Sequence, residues 1–187
     1  MVREIVVYGD PVLRQKCRPV TEITPELHTL AVDMLETMEA ANGVGLAAPQ
    51  IGLDIQFAVI DVTDTSEPLT FLRVDGEDVP MEEFMPLVFM NPELSFPQKE
   101  KVVMNEGCLS FPDVRYDVNR PDVVRAKVML LDGRQVEIET DGLLSRAIQH
   151  ETDHLFGVLF IDRVSPAGKL ALKRKIQRMR EKLADGN

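Results

Sequence analysis

The sequence H-E-x-x-H at residues 150–154 constrains this chain more than any other feature. On a helix, His150 and His154 lie four residues apart, which separates them by only about 40° around the axis and about 6 Å along it. Both imidazoles can therefore reach a single metal ion, and Glu151 lies near enough to take a proton from a water that the metal activates. The motif predicts a helix that carries two metal ligands and a general base.

The residues around this motif predict that the helix lies in the protein interior. Apolar residues continue the histidine stripe backwards and fill the face beside it: Leu143, Ala147, Leu144, Ile148 and Leu155. The alternative is a pair of hydrogen-bonded core histidines. It is disfavoured because burying two imidazoles together with a carboxylate is costly unless a metal or a proton compensates the charge.

Two histidines do not complete a metal site, and the sequence offers few further ligands. Position 160, where one group of HExxH proteases has a third histidine, is Phe160, and the next glutamate after the motif is Glu181. Cys108 is the candidate that remains, and one Cys with two His leaves a fourth position open for water, as a hydrolytic site requires. A structural buried cysteine and a Cys–His nucleophile pair stay open as alternatives.

Three motifs together resemble those of the peptide deformylases: GVGLAAPQ at residues 43–50, EGCLS at residues 106–110 and HETDH at residues 150–154. Their order and separations are similar to those of that family, and the resemblance spans essentially the whole chain. The family usually has an apolar residue at the position of Thr152. A segment is also inserted between the first two motifs, relative to the shorter bacterial members.

The resemblance implies an enzyme that removes the N-formyl group from the starting methionine of new polypeptides and releases formate. It implies that Cys108, His150 and His154 hold one divalent metal ion, with a metal-bound water as the nucleophile and Glu151 as the general base and acid. Fe(II) is the metal expected from the family, and Zn(II), Ni(II) or Co(II) suit the same ligands in purified protein.

The resemblance also assigns the groups that surround the substrate. The Gln50 side chain and the Leu109 backbone N–H would donate hydrogen bonds to the oxyanion. The backbone of Val44 and Gly45 would pair with the peptide as an added strand. Further substrate contacts are expected from Gly107, Leu143, Ala147, Arg115 and Arg146. The shorter bacterial enzymes tend to be apolar at the position of Arg146, so the preference for methionine is less firmly predicted than the reaction.

Two functions of other classes compete with this interpretation. A metal-dependent endopeptidase shares HExxH and would cut unformylated peptides, but Phe160 stands where its third histidine would be. A non-catalytic metal-binding module would close its site with a fourth protein ligand, and the sequence has no second Cys or His suitably near these motifs.

At 187 residues and 44% hydrophobic, the chain is predicted to form a single domain over residues 1–187. Short apolar runs between turn residues predict an α+β fold, with short antiparallel β-sheets wrapped around the central metal-binding helix. An N-terminal helix starts at Thr24-Pro25, and a C-terminal helix covers residues 166–184. Residues 63–86 are acidic and predict a surface insertion, with a hairpin at Asp75-Gly76.

Charge and hydropathy bear on partners and location. The sequence has no apolar run long enough to span a membrane and does not begin as a signal peptide, so a cytoplasmic protein is expected. The net charge of −10 argues against broad nucleic-acid binding. The last segment, from Lys169 onwards, has seven basic residues against two acidic ones. Such a helix face is usually solvated surface, but similar helices in the deformylase family dock on the ribosome near the nascent-chain exit.

Overall fold

The computed structural model describes residues 1–65 and 69–184. The helices are α1 (Pro25–Ala40), α2 (Met81–Phe84), α3 (Gly142–Leu155), α4 (Phe160–Arg163) and α5 (Pro166–Ala184). The strands are β1 (Gly45–Ala47), β2 (Phe57–Ile60), β3 (Leu72–Val74), β4 (Glu77–Asp78), β5 (Leu87–Ser95), β6 (Lys101–Gly107), β7 (Arg115–Pro121), β8 (Val124–Leu130) and β9 (Gln135–Thr140). Short 3₁₀ helices occupy Pro11–Arg14 and Ala48–Ile51.

Seven strands form one antiparallel sheet in the order β1-β2-β5-β8-β9-β3-β4, and β6 and β7 form a separate two-stranded antiparallel sheet. Helix α3 contacts β1, β2, β8 and β9, so the larger sheet covers one side of this helix. The predicted α+β architecture of antiparallel sheets around a central helix, with an N-terminal and a C-terminal helix, is confirmed.

Helix α3 is buried along almost its whole length although it bears many polar residues. Every residue from Leu144 to Leu155 is buried. Leu144, Ala147 and Ile148 pack with inward-facing residues of the larger sheet. Since the apolar pattern around the HExxH motif continues on more than one face, this position follows from the sequence, and the predicted interior helix is present.

The segment of residues 43–52 contains a short strand and a 3₁₀ helix. Gly45 pairs with Ile60 and Leu46 pairs with Val59, so β1 forms the first strand of the larger sheet. Leu46 and Ala47 are fully buried, and pairing with β2 satisfies backbone groups that have no access to water.

The predicted hairpin at Asp75-Gly76 is present as β3 and β4. Strand β3 also pairs with β9, and Leu72 is buried against the main core. The later part of this segment is therefore an extension of the larger sheet, because an apolar residue anchors it there. Residues 66–68 of the predicted insertion lie outside the described residues. In the described ranges, every helix is too short or too polar to cross a membrane.

Candidate metal centre and cleft

Cys108, His150 and His154 meet at one point. Their ligand atoms all lie within 4.8 Å of one another, and Cys108 Sγ is 3.2 Å from His154 Nε2. Cys108 follows the last residue of β6, whereas both histidines lie on α3. A thiolate and two imidazoles suit a divalent cation with an open fourth position, so the donor set fits the predicted metal site.

Glu106, two residues before Cys108, orients the first histidine. Its Oε2 lies 3.2 Å from His150 Nδ1, and an Nδ1–H that donates there leaves the Nε2 lone pair for a metal. Burial raises the pKa of the Glu106 carboxyl, but hydrogen bonds from His150 and Arg120 outweigh it and hold that pKa well below its usual range. Glu106 is therefore an ionised acceptor at neutral pH.

The surroundings shift the pKa values of the two imidazoles in opposite directions. Burial and the nearby His150 lower the pKa of His154 well below its usual range. Burial also acts to lower the pKa of His150, but hydrogen bonds to Cys108 and Glu106 raise it well above the usual range. A metal ligand must be deprotonated, so metal binding at this site is expected to release a proton from His150.

Glu151 is buried beside the three ligands. Burial is the main cause that raises the pKa of its carboxyl, to about 7. Its Oε2 is buried and has no hydrogen-bond partner within residues 1–65 and 69–184. A carboxyl group with a near-neutral pKa and a free oxygen at a cleft can act as a base.

The Gln50 side chain is held beside Cys108. Its Oε1 accepts a hydrogen bond from the Ala47 N–H at 2.8 Å, and its Nε2 lies 3.4 Å from Cys108 Sγ and 3.3 Å from Ser110 Oγ. These contacts fix the amide so that its donor side faces the thiol. Gln50 thus supplies an oriented hydrogen-bond donor next to the candidate metal ligands.

A buried ion-pair network lies beside the candidate ligands, and sequence reasoning missed it. Arg120 donates to Glu106 at 2.6 and 3.0 Å and to Asp153 Oδ2 at 2.7 Å. Arg163 also donates to Asp153, at 2.5 and 3.1 Å. Glu106 and Asp153 could have been suspected, because each lies one or two residues from a ligand. Arg120 lies far from the motifs in sequence, and the pairing of β6 with β7, where it faces Val102, brings it near Glu106.

A cleft of about 870 Å³ opens over the ligands. It is lined by the predicted site residues Val44, Gly45, Gln50, Gly107, Cys108, Leu109, Arg115, Leu143, Arg146, Ala147, His150 and Glu151. His154 lies behind it, 1% exposed. Arg115 is exposed at the rim, where its guanidinium donates to the Asn105 side chain and carbonyl at 2.9 and 3.0 Å.

Comparison with known proteins agrees with this geometry. The family described as Polypeptide deformylase matches residues 2–170. A peptide deformylase from Methylacidiphilum infernorum is 46% identical over 180 residues, which cover 96% of this chain and 94% of that protein.

Solved structures are also similar. A peptide deformylase from Synechococcus elongatus in complex with actinonin has a TM-score of 0.79 and 38% identity, over 95% of this chain and 85% of that one. A peptide deformylase from Legionella pneumophila has a TM-score of 0.81 and 34% identity, over the full length of both chains.

Proposed function

The chain belongs to the polypeptide deformylase family and is an enzyme of that family, and we propose that it hydrolyses the N-formyl group from the amino-terminal methionine of new polypeptides, releasing formate. The observation that carries this proposal is the meeting of Cys108, His150 and His154 at a cleft that Cys108, His150 and the buried Glu151 line. In this proposal the three residues bind a metal ion, and Glu151 accepts and then donates a proton.

We propose that Cys108, His150 and His154 hold one divalent ion. When bound, such an ion supplies Lewis acidity and lowers the pKa of a water molecule. Fe(II) is the proposed physiological metal, since the family's ligand set accepts it, and Zn(II), Ni(II) or Co(II) would suit the same donors. The thiolate makes oxidation of Cys108 an expected route of inactivation in air.

Glu151 is the proposed general base and acid. Its carboxylate takes a proton from the attacking water and then gives it to the departing amine of the methionine. The pKa of about 7, raised mainly by burial, supports both roles because the group can exist in either state near neutral pH. Variant Glu151→Ala is expected to retain metal yet lose nearly all turnover.

Hydrogen-bond donors stabilise the developing oxyanion in this proposal. They are the Gln50 amide, whose Nε2 already faces Cys108, and the backbone N–H of Leu109, the residue after that ligand. Removal of one donor of this kind typically lowers the rate by about 10²–10³-fold.

The substrate is proposed to bind as an additional strand. Strand β1 is at the end of the strand order of the larger sheet, and its first residue, Gly45, lines the cleft together with the preceding Val44. An extended peptide can pair with such an edge while alternate side chains enter pockets. Leu143 and Ala147, on α3, supply an apolar wall for the methionine side chain, and Gly107 and Arg115 also line the cleft.

The reaction is tested by formate release from a formyl-methionyl tripeptide, with protein reconstituted anaerobically with Fe(II) or Ni(II). The unformylated peptide of the same sequence is the control for endopeptidase activity. We expect formate from the formylated peptide and no cleavage of the control. Cleavage of the unformylated peptide inside the chain, or no formate from protein with one bound metal, would contradict the proposal.

Nascent formylated peptides are the proposed partners, and the cytoplasm, where they are made, is the proposed location. We also propose that α5 contacts the ribosome. Lys173, Arg174 and Arg178 are exposed, whereas Leu172 and Met179 on the same helix are buried. Deleting α5 would remove core residues, so reversing these three charges is the cleaner test. Unchanged co-sedimentation of the reversed-charge protein with ribosomes would rule out this contact.

A further inference from the structure

Arg146 lines the cleft, and the terminal nitrogens of its guanidinium are bound by other groups of the protein. Its Nη1 donates to Glu106 Oε1 at 2.5 Å and to the Val118 carbonyl at 3.0 Å, and its Nη2 donates to the Val102 carbonyl at 2.6 Å. Arg146 is 6% exposed. Both terminal nitrogens are held inside the protein, and the buried Nε has no hydrogen-bond partner in the described part of the chain. The aliphatic stem is therefore the part of this side chain that suits a cleft wall.

These contacts join three separate elements. Arg146 lies on α3, one helical turn before His150. Its acceptors lie on both strands of the small sheet, Val102 and Glu106 on β6 and Val118 on β7. Strand β6 ends at the residue before Cys108. The guanidinium therefore connects the helix that carries both imidazoles to the strand that leads to the thiol.

Glu106 contacts both Arg146 and the candidate ligand His150. One of its oxygens accepts from Arg146, and the other lies 3.2 Å from His150 Nδ1. Two further contacts link the small sheet to α3: Arg120 donates to Asp153, and Gln149 donates to the Pro121 carbonyl. Neither contact supplies a donor to the Val102 and Val118 carbonyls, as Arg146 does.

We propose that Arg146 is a positioning residue for the metal centre: it holds the β6–β7 sheet on α3 and so keeps Cys108 within reach of His150 and His154. The inference rests on the metal site proposed above. It assigns to Arg146 the retention of metal, and not recognition of the methionine side chain by charge. Groups that orient metal ligands from behind typically change metal affinity by about 10–100-fold when they are removed.

The test compares full-length wild-type protein with Arg146→Met, which keeps an unbranched apolar stem, and with Arg146→Lys, which keeps the charge. Arg125→Met is the matched control, since Arg125 lies on β8 and its salt bridges are with Glu137 and Glu139. Each protein is loaded with Co(II), and release of the metal to a chelator is followed through the thiolate-to-cobalt absorption band.

We expect Arg146→Met to release cobalt about 10–100-fold faster than wild type, with a shifted thiolate band. Arg146→Lys is expected between the two, and Arg125→Met at the wild-type rate. The KM of loaded Arg146→Met for a formyl-methionyl peptide should stay within about twofold of wild type, because loss of uniform substrate binding would appear in KM.

Release at the wild-type rate from Arg146→Met would overturn the inference, and a raised KM in the same variant would make Arg146 a substrate-pocket residue. If Arg146→Met does not fold, Arg146→Lys decides, and the wild-type release rate in that variant would overturn it. Failure of the wild-type protein to bind cobalt is a different result. It would overturn the proposed metal site, and with it this role for Arg146.

Discussion

Gly45 and Glu151 are in direct packing contact across the boundary between β1 and α3. A methyl group at position 45 would lie 2.9 Å from Cδ and 3.0 Å from Cγ of Glu151. Since Oε2 of Glu151 has no hydrogen-bond partner among the described residues, packing against the strand locates this carboxylate. The missing side chain at Gly45 is thus a requirement of the site.

Gly45→Ala is expected to lower kcat by about 10²-fold, the effect of displacing a reacting group by about 1 Å. Gly45 is not among the residues with positive φ, so the backbone accepts alanine and the effect is steric. The measurement is kcat for a formyl-methionyl peptide beside the metal content per chain, which should stay at the wild-type value because Cys108 and both histidines are untouched. Full kcat in this variant would mean that Glu151 has room to move.

The raised pKa of the Glu151 carboxyl also predicts how the stability of the metal-free protein varies with pH. Its pKa is raised by burial from 4.5 to about 7, so the folded state holds a proton that the unfolded chain releases. The stability from this group is fully present below about pH 4.5 and is lost as the pH rises through about 7.

Metal-free Glu151→Gln, which cannot ionise, should therefore be more stable than metal-free wild type at pH 8, by about 1–3 kcal/mol. At pH 4.5 the two proteins should nearly coincide. Urea unfolding at both values measures the difference, with Glu93→Gln on the exposed face of β5 as the control. An equal difference at both pH values would contradict ionisation of Glu151 as the cause.

The parts of the site that sequence predicted are those fixed by local spacing. His150 and His154 share a face because a helix repeats every 3.6 residues, and the apolar residues around them require burial. The hairpin at Asp75-Gly76 is also a local feature, as Asp75 takes the positive φ of 53° that this turn requires.

The network behind the ligands depends on distant residues and could not be read in the same way. Arg120 and Glu106 are 14 residues apart, and Arg146 and Glu106 are 40 apart. Which of them meet depends on the register of β6 with β7, where Val102 faces Arg120. The family resemblance predicts Arg146 at the pocket, but the partners of its guanidinium depend on how the chain folds.

A substitution at Thr152, an unusual residue within the HETDH motif, is expected to stabilise the protein. Its Oγ1 is buried and has no hydrogen-bond partner in the described part of the chain, and a buried hydroxyl without a partner costs free energy. Thr152→Val has almost the same shape and should raise the free energy of unfolding by about 1 kcal/mol, or Tm by about 2–4 °C.

Thr140→Val is the matched control for this prediction. The Thr140 hydroxyl donates to the Phe71 carbonyl at 2.8 Å, so the same substitution removes a hydrogen bond and should destabilise by about 1 kcal/mol. Thermal unfolding of both variants, loaded with the same metal, compares them. A destabilised Thr152→Val would show that its hydroxyl has a partner, such as an ordered water.

Gly157, two residues after α3, should be the glycine least tolerant of a side chain near the site. It has a φ of +71°, and a methyl group there would lie 2.6 Å from the Arg14 carbonyl oxygen, a backbone atom that cannot turn aside.

Gly76 has a similar φ of +87° but no atom of the described chain within 4 Å of that position. Gly76→Ala therefore measures backbone strain alone, about 1 kcal/mol, whereas Gly157→Ala adds the clash and should cost about 2–4 kcal/mol. Urea unfolding of the two variants gives both values, and equal losses would mean that residues 14–15 shift away from α3 without cost.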